Sequence, residues 1–113
     1  MKVLIIDDLD FRHEGLAEEY SEDTVHHAWN SKEAKEKISS CTWDLICFDY
    51  ELGELEENGA SIARWMVENG LKCREVRIHS ANLAGGMEIL SIIKSGEVSE
   101  QVYLHEFIPN FWK

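Results

Sequence analysis

Two short, uninterrupted apolar runs, Val3-Leu4-Ile5-Ile6 and Leu45-Ile46-Cys47-Phe48, each end on aspartate, the first at Asp7-Asp8 and the second at Asp49. Four apolar residues without polar alternation suit a strand buried on both faces, the situation in a parallel sheet covered by helices. The segments between such runs have the other period. From Phe11 to Tyr20, residues His13, Leu16, Ala17 and Tyr20 fall at i, i+3, i+4 and i+7, a helical stripe. Thr24 to Trp29 is β-branched and aromatic enough for a strand, and Asn30-Ser31 with Glu33 offers a helix start, the helix ending near Ser39. A polar loop, 51–57, leads to a helix from about Asn58 to Asn69, with Ile62, Trp65, Met66 and Asn69 on one face and Gly70 as its stop. Val76 to Ile78 reads as a strand ending at His79-Ser80, Met87 to Lys94 as a helix, and Val102 to Leu104 as the last strand.

The order β-α-β-α-β-α-β-α-β implies parallel strands joined by right-handed crossovers. The expected fold is an α/β, flavodoxin-like, doubly wound sheet of five strands in the order 2-1-3-4-5, one domain over 1–113. The place of a fifth helix is left to the short apolar tail Phe107, Ile108, Phe111 and Trp112, short enough to be a lid of about one turn.

Charge narrows the partners. Twenty-two acidic residues against eleven basic ones give a formal net charge of −11, the wrong field for duplex nucleic acid or an anionic membrane. A single nucleotide-like ligand held through a metal ion remains compatible. No apolar run approaches the roughly 20 residues of a membrane span, and the start turns acidic too early for a signal peptide. Three cysteines (Cys41, Cys47, Cys73) without CxxC spacing read as reduced thiols in a cytoplasmic protein. Cys47, inside an apolar run, is expected to be inert.

In such a sheet, ligands collect beyond the carboxyl ends of the strands. Those ends carry Asp7 and Asp8, Asp49, Ser80 and His105. Clustered carboxylates repel one another unless a cation sits among them or one stays protonated. Magnesium, or manganese in its place, suits a site of carboxylates with room left for phosphate oxygens. Ser80 and Asn82, two apart, share a face and are candidate donors to phosphate, with Gly85-Gly86 allowing close backbone approach and a helix start near Met87 offering amides. His79 faces the other way, as a packed structural residue or as a proton donor. His26 and His27 point to opposite sides of their strand and cannot share a metal there. The tryptophans (Trp29, Trp43, Trp65, Trp112) are expected to pack, all but one of them, and the four glutamates of 51–57 to form a solvated loop beside the site.

Val-Leu-Ile-Ile-Asp7-Asp8, Leu-Ile-Cys-Phe-Asp49, Val-Arg-Ile-His-Ser80-Ala81 and Tyr103-Leu104-His105-Glu106-Phe107 together resemble a response-regulator receiver domain over nearly the whole chain. The resemblance implies that Asp8 and Asp49 ligate magnesium directly, that the Glu51 carbonyl is a third ligand, and that Asp7 acts through water. It also implies that Ser80 contacts phosphate. His105 stands where receivers carry a phosphate-binding lysine, and Glu106 where a proline follows it.

A narrower resemblance takes in Asp49-Tyr-Glu-Leu-Gly53, Asn58-Gly59, Trp65, His79-Ser80-Ala81-Asn82 and Gly86-Met87, which are similar to the cyclic-phosphate-processing receiver family. That family usually has His and Asp at Tyr50 and Glu51, and Pro at Leu83. The resemblance implies chemistry on cyclic phosphates or related phosphoesters, with Asp49, Ser80, His79 and His105 as candidate catalytic residues and Ser80, Asn82 and Gly86 at the phosphate. Two rival readings stand beside it: a signalling module phosphorylated on Asp49 that binds a protein partner through its fourth helix and last strand, and an acidic interaction protein without chemistry.

Overall fold

A computed structural model describes residues 1–53, 55 and 57–105. Its elements run β1 (Lys2–Ile6), α1 (Asp10–Glu19), β2 (Thr24–Ala28), α2 (Ser31–Ser40), β3 (Leu45–Phe48), α3 (Gly59–Glu68), β4 (Glu75–Ile78), α4 (Leu83–Ser95) and β5 (Gln101–Leu104). All strand pairs are parallel, in the order β2-β1-β3-β4-β5. The expected fold is the observed one. The tail expected to act as a lid lies outside the described residues.

Side-chain alternation along the strands divides the sheet into two cores. Leu4, Ile6, Ile46, Phe48, Val76 and Ile78 face α2, α3 and α4, meeting Ala34, Ile38, Ile62, Met66, Ile89 and Ile93. Val3, Ile5, Leu45 and Cys47 face the other way, onto Leu16 of α1. The chain turns one way from β1 to β2 and the opposite way from β2 onward, so right-handed crossovers put α1, alone among the described helices, on one face.

Local chemistry sets the helix starts. Asn30 Oδ1 accepts from the Glu33 amide at 2.9 Å, and Asn58 with Ser61 forms a reciprocal capping box. Helix α4 begins at Leu83, four residues before the expected Met87, because Asn82 Oδ1 accepts from the Gly85 amide at 2.9 Å. The two glycines that suggested a loop therefore lie inside the first turn. A Cβ on Gly85 would meet the Tyr50 ring at 2.4 Å, and one on Gly86 would meet Leu104 at 2.9 Å. They let α4 close onto the sheet.

Candidate metal and phosphate site

Register carries the acidic residues to one place. Ile6 pairs with Phe48, and Phe48 with Ile78, so the residues after these strands emerge side by side. Ligand atoms of Asp7, Asp8 and Asp49 all lie within 4.8 Å of one another. By strand parity Asp7, Asp49 and His79 continue the α1-facing rows, whereas Ser80 turns toward α4.

Asp7 is fully buried and held on both oxygens: Oδ1 accepts from the Leu9 amide at 2.9 Å, and Oδ2 lies 2.9 Å from His79 Nε2. Asp49 is also buried, and its Oδ1 has no hydrogen-bond partner among the described residues. Burial, and then the Asp7 charge, push the Asp49 carboxyl up to about 8, with Arg12 opposing. Asp8 is raised for the same two reasons, burial first. Gly53, at φ +68, places its Cα so close that a Cβ would lie 3.2 Å from Asp8 Oδ2. Gly59 stacks on the Asp49 carbonyl, where a Cβ would fall at 2.1 Å.

The donor set fits a hard divalent cation. Three carboxylates converge, an Asp49 oxygen is buried without a hydrogen bond, and burial first and the Asp7 charge second raise the Asp49 and Asp8 carboxyls, a cost that a cation relieves.

Arg12, which the sequence reading passed over, is nine-tenths buried beside this cluster. Its Nη1 lies 3.2 Å from Asp49 Oδ2 and 3.6 Å from Asp7 Oδ2. The available signal was its spacing, four residues after Asp8 and inside the first turn of α1.

Several expected site residues sit differently from the expectation. His79, 2% exposed, gives its Nε2 to Asp7. Burial holds its imidazole below the ordinary histidine range, so a neutral ring donates Nε2–H to the carboxylate. Its Nε2 contact holds Asp7 in place. Asn82 is occupied twice, as the α4 cap and through Nδ2 to Glu51 Oε1 at 3.1 Å. Its Oδ1 is the α4 cap, and Nδ2 stands at the rim beside Glu51. Ser80 Oγ accepts from the Asn82 amide at 3.1 Å, which leaves its own hydroxyl proton to donate. Gly86 packs toward the sheet. Glu51 stands at the rim, exposed, its side chain on Asn82.

His105 is exposed and outside the cluster. Burial lowers its pKa, and the charges acting on it are Arg77 and Glu19. These two pair with each other under β4, together with Tyr20. Strand parity turns His105 to the same face as Arg77.

The remaining residues follow expectation more closely. His26 meets the Trp43 edge at 5.2 Å, while His27 turns to the opposite side and to His13. Trp43 is buried and Trp29 is exposed. Burial pushes the Cys47 thiol up to about 12, in keeping with inert packing. Among the described residues no helix is long and apolar enough to cross a membrane.

Comparison with known proteins agrees with this geometry. Residues 2–95 match the family described as cyclic-phosphate processing receiver domain. No curated protein matches the chain in sequence. Among solved structures, the receiver domain of Francisella response regulator 1452 superposes with a TM-score of 0.73 at 22% identity, covering 95% of this chain and 85% of that one. The BeF3-activated receiver domain of Klebsiella pneumoniae RstA gives 0.71 at 15% identity, covering 97% and 90%. Thermotoga maritima TrrA in complex with Mg(2+)-BeF gives 0.68 at 21% identity, covering 94% and 87%. These likenesses show the receiver fold.

Proposed function

The chain belongs to the cyclic-phosphate processing receiver domain family, and from that premise we propose that its acidic pocket binds magnesium, or manganese, and processes a cyclic phosphate or a related phosphoester. The observation that carries the reading is the convergence of Asp7, Asp8 and Asp49 around an Asp49 oxygen that is buried and unbonded. The TrrA neighbour with Mg(2+)-BeF supports the choice of ion.

A divalent cation held by Asp8 and Asp49 supplies charge neutralisation at phosphate oxygens and acidifies a bound water. The chain's own residues do the rest. Asp7, fixed by His79 and the Leu9 amide, keeps its carboxylate in place beside Asp8 and Asp49, where its charge adds to the attraction for a cation. Ser80 donates its hydroxyl proton to a non-bridging phosphate oxygen. Arg12 would take the place of the lysine that receivers carry on the last strand: its guanidinium already touches Asp49 and would be free to pair with the phosphoryl group where a cation is bound by the aspartates. Arginine suits this because its planar fork matches phosphate geometry.

The second reading, a switch phosphorylated on Asp49, is favoured by the placement of Asp49 at the end of β3, where its Oδ1 is unbonded. One experiment separates the two. The protein with magnesium is incubated with 2′,3′- and 3′,5′-cyclic nucleotides, and separately with acetyl phosphate. Ring-opened phosphomonoester, absent with Ser80→Ala and Arg12→Gln, supports the processing role. A stable acyl phosphate on Asp49 without turnover replaces it with the switch, and neither product leaves an acidic interaction protein.

A further inference from the structure

His13 and His27 belong to neither the acidic pocket nor the two cores' contacts. Their Nδ1 atoms lie 2.7 Å apart. The other nitrogen of His13, Nε2, lies 2.7 Å from the Asp7 carbonyl oxygen. A carbonyl only accepts, so Nε2 carries a proton and His13 Nδ1 presents a lone pair toward His27. An imidazole whose second nitrogen donates to a backbone carbonyl is oriented as metal-ligating histidines are.

The pair opens onto a cleft of about 240 Å³ lined by Asp10, His13, Glu14, Ala17, His27 and Trp29. Four of these fall on one stripe of α1, at i, i+3, i+4 and i+7, so two carboxylates flank His13. Trp29 stacks on His13 with centroids 4.2 Å apart, and its Nε1–H donates to Asp10 Oδ1 at 2.9 Å. One wall is therefore already fixed; the carboxylate oxygens of Asp10 and Glu14 do not lie within 4.8 Å of both histidine nitrogens and would reach them by side-chain rotation.

We infer that His13 and His27, with a carboxylate from Asp10 or Glu14, bind a borderline divalent transition-metal ion of the zinc type at a second site, separate from the acidic pocket. Two imidazole nitrogens at 2.0–2.1 Å from a tetrahedral ion are about 3.3 Å apart. The rings must separate by roughly half an ångström, and His27 can provide this because it is only half-buried, on the edge strand β2. His27 exchanges its Nδ1 proton for one on Nε2 through solvent as the ion enters, so that both rings ligate as neutral imidazoles. Ligand chemistry keeps the two sites distinct: imidazole favours zinc, nickel or copper, and the all-oxygen pocket favours magnesium.

The test is calorimetric titration of zinc into the whole protein in millimolar magnesium, with cobalt as the spectroscopic substitute. The expected result is one zinc per chain, unaffected by Asp49→Asn, and visible cobalt bands of tetrahedral coordination. His27→Gln, confirmed folded by circular dichroism, should weaken zinc by at least about tenfold, the smaller end of what loss of a mere orienting partner does. Asp10→Asn and Glu14→Gln, both at exposed positions, identify the carboxylate by which of them weakens binding. Absence of zinc binding in the wild type, or equal affinity in folded His27→Gln, overturns the site. Loss of zinc with Asp49→Asn instead assigns the ion to the acidic pocket and overturns it equally.

Discussion

Arg12 Nη1 lies 3.2 Å from Asp49 Oδ2, so a buried cation at the acidic pocket's edge touches the carboxylate that ends β3. In the metal-free protein this guanidinium is the local counter-charge for Asp7 and Asp49. A divalent cation and Arg12 therefore address the same electrostatic problem, and a ligand that brings the one releases the other.

Arg12→Gln follows first. An orphaned buried charge costs about 3–5 kcal/mol, but Asp49 escapes part of this by staying protonated, so the loss should fall below that range. Millimolar magnesium should remove most of it. Urea unfolding of both proteins with and without magnesium measures the effect, and an equal loss in both conditions would mean that Arg12 is packing and not counter-charge.

The pH dependence of the metal-free protein has a definite sign. Asp49 has its folded pKa raised to about 8, against about 3.9 in an unfolded chain. The folded state therefore holds the extra proton between those values, and its stabilising contribution, full below about pH 4, is lost as pH rises through about 8. His79 acts oppositely: its lowered pKa gives stability that is present above about 6.5 and lost as pH falls. Asp49→Asn should flatten the alkaline limb and stabilise the metal-free protein at neutral pH. Chemical denaturation from pH 5 to 8.5 checks this, and a wild type that gains stability up to pH 8 without metal contradicts it.

His105 should matter little to the pocket, because its electrostatic neighbours are Arg77 and Glu19. Magnesium affinity of His105→Ala and His105→Lys should equal that of wild type in a fluorescence titration. A marked loss of affinity with lysine, whose cation would compete with magnesium, would place residue 105 at the cluster after all.

Two glycines make a matched pair. A Cβ at Gly59 would fall 2.1 Å from the Asp49 carbonyl, whereas at Gly15 it meets nothing within 4 Å. Gly59→Ala should cost at least the 1–3 kcal/mol or so typical of overpacking, since backbone must move. Gly15→Ala, inside α1, should stabilise by about 0.5–1 kcal/mol. Thermal melts of the two variants decide, and a harmless Gly59→Ala would refute the close packing of α3 on β3.

The fold was legible because its strands are continuous apolar runs and its caps are explicit, as at Asn30 and Asn58. The start of α4 was misplaced because Gly85 and Gly86 signal a loop locally, and only their tertiary neighbours, Tyr50 and Leu104, explain glycine inside a helix. The carboxylate triad was legible from the ends of the strands. Arg12 was not, since a cation on a helix looks solvent-exposed until α1 is docked. His13 read as one member of an apolar stripe, and its pairing with His27 depends on the register between β1 and β2. The roles given to His79 and Asn82 turned on which side each faces, and parity alone left open what each would meet there.

Calorimetric titration with magnesium tests the central claim, that Asp7, Asp8 and Asp49 form a divalent-cation site. The account predicts saturable binding of one ion per chain, accompanied by a higher melting temperature, and its loss when Asp8→Asn and Asp49→Asn are combined. Absence of saturable binding at millimolar magnesium, or binding that survives the double substitution unchanged, would contradict it.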